Sequence, residues 1–314
     1  MTGPDGRIDV HQHVWPAALV DELRRRTRPP MLRGWTLHTA GEAPYDVDPA
    51  DHDPAARAAL EPSTSAALVS LSAPLGVEAL DPADAQPILH AWHAGACELP
   101  APFRAWASVT DVEPDLAGLK DLLGAGFVGL QLPATSLATP AAVERLAPVF
   151  DVCAQAGRPV LVHPGPTIAG SDADTQPPWW PAVVDYPDQL ARAWWSWHVA
   201  GRALAPTLRL CFVAGAGLAP LQHERFTARG GGRFVVDPDV FVDTSSHGRQ
   251  AVDALTRALG IDVVVLGSDR PYAQPADRDP DGGNHLDTLG AAAWHAVCVA
   301  NPRRLLNEEN GGPA

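Results

Sequence analysis

His11 and His13 stand at the end of a short apolar run, Ile8-Asp9-Val10, that reads as a strand. Side chains two apart on a strand share a face, so the two imidazoles project together while Gln12 turns the other way. Two imidazoles on one rigid strand can give two nitrogen ligands to one cation at little ordering cost. His163 directly follows the strand-like run 159–162, and Asp269 follows the run 263–266 after Gly267-Ser268. Three imidazoles and a carboxylate suit one divalent metal, Zn²⁺ first, with Mn²⁺ or another transition metal as alternatives. Taken singly, the histidine pair could be solvated, His163 could be a turn residue before Pro164-Gly165, and Asp269 could cap a turn. Independent turn residues, however, have no reason to select the ends of strand-like runs.

Eight such runs, at 8–10, 66–71, 103–109, 127–132, 159–162, 208–213, 240–244 and 263–266, punctuate the chain. Helical segments at 17–26, 84–97, 115–123 and 141–156 fall between them. Short β-branched runs alternating with helices suit parallel strands buried on both faces. The count is that of a (β/α)8 TIM barrel, in which catalytic groups sit at the C-terminal ends of the strands. An open doubly wound sheet is the runner-up, but His-Gln-His stands where its Gly-rich phosphate loop would follow the first strand. Insertions are expected after strands one, five and eight. The first, 27–65, carries Pro29, Pro30, Pro44, Pro49, Pro54 and Pro62 with Trp35 and Tyr45, and is expected to be an ordered lid over the site. The second, 164–192, carries Trp179-Trp180, and the third, 270–285, is rich in Asp and Gly. Residues 1–306 are expected to form a single domain and 307–314 a frayed tail.

The 314 residues are 46% hydrophobic, enough for a large core, and the formal charge of -14 argues against nucleic acid or an anionic membrane as partner. Lys120 is the sole lysine. Cys97, Cys153, Cys211 and Cys298 form no C-x-x-C pair and read as reduced thiols of a cytoplasmic protein. No basic segment followed by an apolar stretch marks a signal peptide, and no apolar run reaches the length of a membrane span.

Asp9-Val10-His11-Gln12-His13, Val162-His163-Pro164 and Gly267-Ser268-Asp269-Arg270-Pro271-Tyr272 together resemble the amidohydrolase superfamily. They are most similar to its amidohydrolase-related branch, which includes aminocarboxymuconate-semialdehyde decarboxylase and related carboxy-lyases and hydrolases. The resemblance runs from strand one to strand eight. It implies a barrel with one divalent metal, usually zinc, held by His11, His13, His163 and Asp269, and a tendency to form homodimers. There is one departure. The branch usually ends strand six in a histidine that serves the metal water or the substrate. Here that position falls at about Gly215, within Ala214-Gly215-Ala216-Gly217.

His247, in the loop after strand seven, is the first candidate to replace it, and His198 the second. Arg270 could clamp a substrate carboxylate or pair with a loop acid, and Trp179 and Trp180 could wall a small-molecule site or simply pack the loop. The leading expectation is a metal-dependent hydrolase. Water activated by the metal would attack an amide, ester or lactone, with Asp269 taking the proton and His247 helping the leaving group. The scheme ranks first because it does not need the absent histidine. The alternatives are a non-oxidative decarboxylase of an unsaturated or aromatic acid, and an inactive metal-binding sensor module.

Overall fold

The β-branched runs are apolar on both faces, and they meet edge to edge as a ring. The computed structural model describes residues 6–61, 64–167, 176–273 and 290–308. β1 (Arg7–Gln12) precedes three short strands of the insertion, β2 (Met31–Arg33), β3 (Thr36–His38) and β4 (Tyr45–Asp46). Then come β5 (Thr64–Val69), β6 (Phe103–Ala105), β7 (Ala107–Ser108), β8 (Leu130–Pro133), β9 (Val160–His163), β10 (Leu210–Phe212), β11 (Val240–Asp243) and β12 (Val264–Val265). β1, β5 and β6 pair in parallel in that order, and β7 to β12 form a second parallel series.

β6 and β7 act as one strand interrupted at Trp106. The Trp106 N–H donates to the Val69 carbonyl at 2.9 Å, and that of Ala107 donates to Gly129 at 2.8 Å. The ring closes between its first and last strands. Val10 N donates to Leu266 O at 2.9 Å, Asp269 N to His11 O at 2.8 Å and His13 N to Arg270 O at 2.7 Å. The result is a (β/α)8 barrel. Val10, Leu68, Leu132, Leu161, Phe212, Val242 and Val264 are fully buried in its core.

Two features differ from the sequence reading. The helix expected over 141–156 is two helices, Pro140–Arg145 and Ala147–Gln155, because Pro148 lacks the N–H that would continue the first one. The insertion also has structure of its own: β2, β3 and β4 make an antiparallel sheet, and Asp53 caps a helix at Pro54–Ala59. That helix fastens the insertion to the barrel. The buried Arg57 donates to His13 O, Asp51 O and Gln12 Oε1, each at 2.8 Å. The tail and the third insertion fall largely outside the described residues. Among those described, no helix is long and apolar enough to cross a membrane.

Glu78 gives the fold a pH dependence. It is fully buried, and it accepts Ser108 Oγ at 2.8 Å and Gln131 Nε2 at 2.9 Å. Burial pushes its carboxyl up to about 7 from an ordinary 4.5, against the lowering effect of those bonds. A carboxyl with a raised folded-state pKa holds its proton in the native state longer than in the unfolded chain. Its favourable contribution is complete below the ordinary value and is lost as pH rises through about 7, at a cost on the order of 3 kcal/mol. Glu78→Gln is therefore expected to flatten the fall in Tm between pH 5 and pH 8, read by thermal denaturation. An unchanged fall would refute this assignment.

Candidate metal centre

The C-terminal ends of β1, β9 and β12 bring four ligands to one point. One ligand atom each from His11, His13, His163 and Asp269 lie within 4.8 Å of one another. His11 Nε2 stands 3.2 Å from His13 Nε2, and Asp269 Oδ1 is 3.5 Å from His11 Nε2 and 3.2 Å from His13 Nε2. Ligands held at about 2.0–2.2 Å around one cation are about 3.0–3.5 Å apart.

The outer ring nitrogens fix the tautomers. His13 Nδ1 donates to Ser70 O at 3.0 Å and His163 Nδ1 to Pro164 O at 2.9 Å. His11 Nδ1 meets Asp243 Oδ2 at 2.9 Å. Each Nε2 therefore carries its lone pair toward the shared centre. Lone pairs that face each other at 3.2 Å repel unless a cation lies between them. The donor set fits one divalent metal.

Burial, reinforced by His11 and His13, holds His163 well below its ordinary pKa, and burial lowers His13 as well, whereas the carboxylates of Asp269 and Asp243 outweigh burial and raise His11. Burial would raise Asp269, but the neighbouring His11, His13 and His163 outweigh it and bring the carboxyl to about 2. A neutral imidazole and an ionised carboxylate are the forms that bind cations.

Sequence reasoning missed Asp243, at the end of β11. It is fully buried; Oδ2 takes the His11 proton, while Oδ1 accepts Ala214 N at 2.7 Å, Ser245 N at 2.9 Å and Ser245 Oγ at 2.6 Å. Such a carboxylate orients the ligand and raises its basicity. Gly267 makes the room: a Cβ there would lie 2.3 Å from Asp243 Oδ2. The available signal was an acid closing the apolar run Val240-Phe241-Val242.

The four ligands open into a cavity of about 610 Å³. The insertion contributes Leu37, Thr39, Glu42 and Tyr45 to its wall, and the loop after β11 contributes Ser245, Ser246 and His247. His247 lies beside Gly215 on the cavity wall. A Cβ on Gly215 would be 3.1 Å from His247 Cδ2 and 3.3 Å from its Nε2. The ring is held by an Nε2–H donated to Ala214 O at 3.0 Å. His198 lies elsewhere, bonded to Trp194 O at 2.8 Å and packed among Trp194, Trp195 and Phe234.

Two proposed substrate contacts are corrected. The Arg270 guanidinium is paired with the buried Glu61, which also accepts Gln12 Nε2 at 2.9 Å, and Arg270 is absent from the cavity wall. It ties the insertion to the barrel rim. Trp179 and Trp180 pair with each other at 5.9 Å outside the cavity, and Trp179 is 55% exposed. The wall comes instead from the following helical turns, where Val183, Tyr186, Pro187 and Leu190 recur at helical spacing.

Residues 8–307 match the family model described as Amidohydrolase. The chain belongs to the amidohydrolase family. This amidohydrolase is similar to the 2-amino-3-carboxymuconate-6-semialdehyde decarboxylase of Dictyostelium discoideum, with 28% identity over 165 residues, 48% of this chain and 45% of that protein. The match spans less than half the length of that relative. In fold it is similar to IDCase of Metarhizium anisopliae in its apo form, with a TM-score of 0.70, 18% identity and 98% coverage of both chains. It also resembles the dihydroxybenzoic acid decarboxylase of Polaromonas sp. JS666 with bound manganese and the inhibitor 2-nitroresorcinol, with a TM-score of 0.68, 17% identity and 98% coverage of both. At these identities the structures establish the barrel along the amidohydrolase chain.

Proposed function

We propose that this amidohydrolase is a metal-dependent, non-oxidative decarboxylase of a small aromatic or unsaturated acid. One observation carries the reading: the His247 ring occupies the space beside Gly215, in the same cavity as the four ligands. The absent strand-six histidine was the objection to decarboxylation, and His247 removes it.

His11, His13, His163 and Asp269 would hold one first-row divalent cation, manganese or zinc. Such a cation supplies Lewis-acid polarisation and orientation of substrate oxygens. The remaining work falls to the chain's own side chains. Asp243 keeps His11 in its ligating tautomer and orientation. Leu75, Val183, Leu190 and Leu218 give the cavity apolar walls that exclude water from the carboxylate to be lost. His247 delivers a proton to the carbon that bears it. The C–C bond breaks, CO₂ leaves, and the bonding electron pair is captured by that proton as a new C–H bond. With Nε2–H held by Ala214 O, Nδ1 is the nitrogen that gains and loses the proton.

The test is a panel of hydroxybenzoic and alkenyl acids offered to metal-loaded protein in D₂O. Release of CO₂ with one deuterium at the vacated carbon is expected. Hydrolysis of an amide, ester or lactone is the second reading. It is favoured by the lack of Lys or Arg among the described cavity residues to hold a free carboxylate. It would instead show ¹⁸O uptake from labelled water and no gas.

A further inference from the structure

Glu42 lines the cavity but stands outside the four-residue cluster. It lies in the loop between β3 and β4, and that loop is fixed in place. Thr167 Oγ1 donates to Gly41 O at 2.9 Å, and the fit is so close that a Cβ on Gly41 would lie 1.8 Å from Thr167 O. Glu42 Oε1 accepts the Tyr186 hydroxyl at 2.5 Å. Among the described residues Oε2 has no hydrogen-bond partner. Nor is there a Lys or Arg among the described residues of the cavity wall; its charged groups other than histidine are Glu42 and Asp269. Burial, and then the nearby Asp185, raise the Glu42 carboxyl, and only the Tyr186 bond counters them. Apolar Leu37 and Val183 stand in the same wall. A carboxylate on the cavity wall with one oxygen committed and no cation beside it leaves an acceptor open to a ligand's donor.

We infer that Glu42 is a specificity-determining residue: the cavity takes substrates that carry a hydrogen-bond donor, an ammonium or a hydroxyl, beyond their metal-binding group, and Glu42 Oε2 receives it while Tyr186 holds the carboxylate in place. Substrates with a second acid at that end are rejected by like charge. The inference rests on the metal-centre reading, because the cation anchors the other end of the ligand.

The test uses manganese-loaded protein and three benzohydroxamic acids, 4-aminomethyl, 4-hydroxymethyl and 4-ethyl, titrated by calorimetry. The hydroxamate anchors each compound on the metal, and only the far substituent changes. Wild type is expected to bind the two donor-bearing compounds about 10-fold or more tighter than the ethyl compound, as a hydrogen bond to a charged group implies. Glu42→Gln should erase most of the aminomethyl preference, and Tyr186→Phe should reduce it. If wild type binds all three compounds alike, and only when manganese is added, the inference is overturned and the metal centre stands. Should none bind the loaded protein, both readings fall together.

Discussion

His247→Ala is expected to lower decarboxylation by about 10²- to 10⁴-fold, the usual loss when a positioned proton donor is removed. The imidazole donates to Ala214 O, lines the cavity, and fills the space beside Gly215. A merely structural histidine there would act through Tm, so the variant is compared by melting temperature and metal content as well as by rate. The discriminating measurement is the split between kcat and KM. The variant should lose kcat with KM little changed. A variant that kept near-normal turnover would remove His247 from the mechanism.

The second large effect concerns the cation. The double variant His11→Ala/His13→Ala is expected to fall from about one divalent metal per chain to none, by elemental analysis, with turnover abolished, because it removes two of four ligands. Asp243→Asn should be milder, weakening metal affinity by about 10- to 100-fold through His11 alone. If the double variant retained its metal, the assignment of the centre would fail, and if Asp243→Asn changed nothing, its orienting role would.

The four ligands were legible because each closes, or nearly closes, an apolar β-branched run, and a barrel gathers such ends on one rim. The barrel was legible for the same reason, since its buried strands advertise themselves by composition. What escaped depended on contacts that spacing does not encode. Asp243 meets His11 across 232 residues and Arg270 meets Glu61 across 209, so neither pairing leaves a local trace. β2, β3 and β4 are only two or three residues long, too short to display alternation. Trp179 and Trp180 misled because their bulk was visible while the direction of the following helix was not. His247 was visible as a loop histidine, but its nearness to Gly215 follows from the coiling of the loop after β10.

That loop coils the unusual way. Residues 214–218 all have φ between 46° and 59°, three of them non-glycine. A left-handed run costs L-residues on the order of 1–2 kcal/mol each, and the bonds from Ala214 N to Asp243 and Ser245 help to offset it. The consequence is steric. A histidine placed at 215 would begin with its Cβ 2.7 Å from Leu255 Cδ1 and 3.1 Å from the His247 ring. An imidazole on the loop after β10 and one on the loop after β11 therefore exclude each other on this backbone.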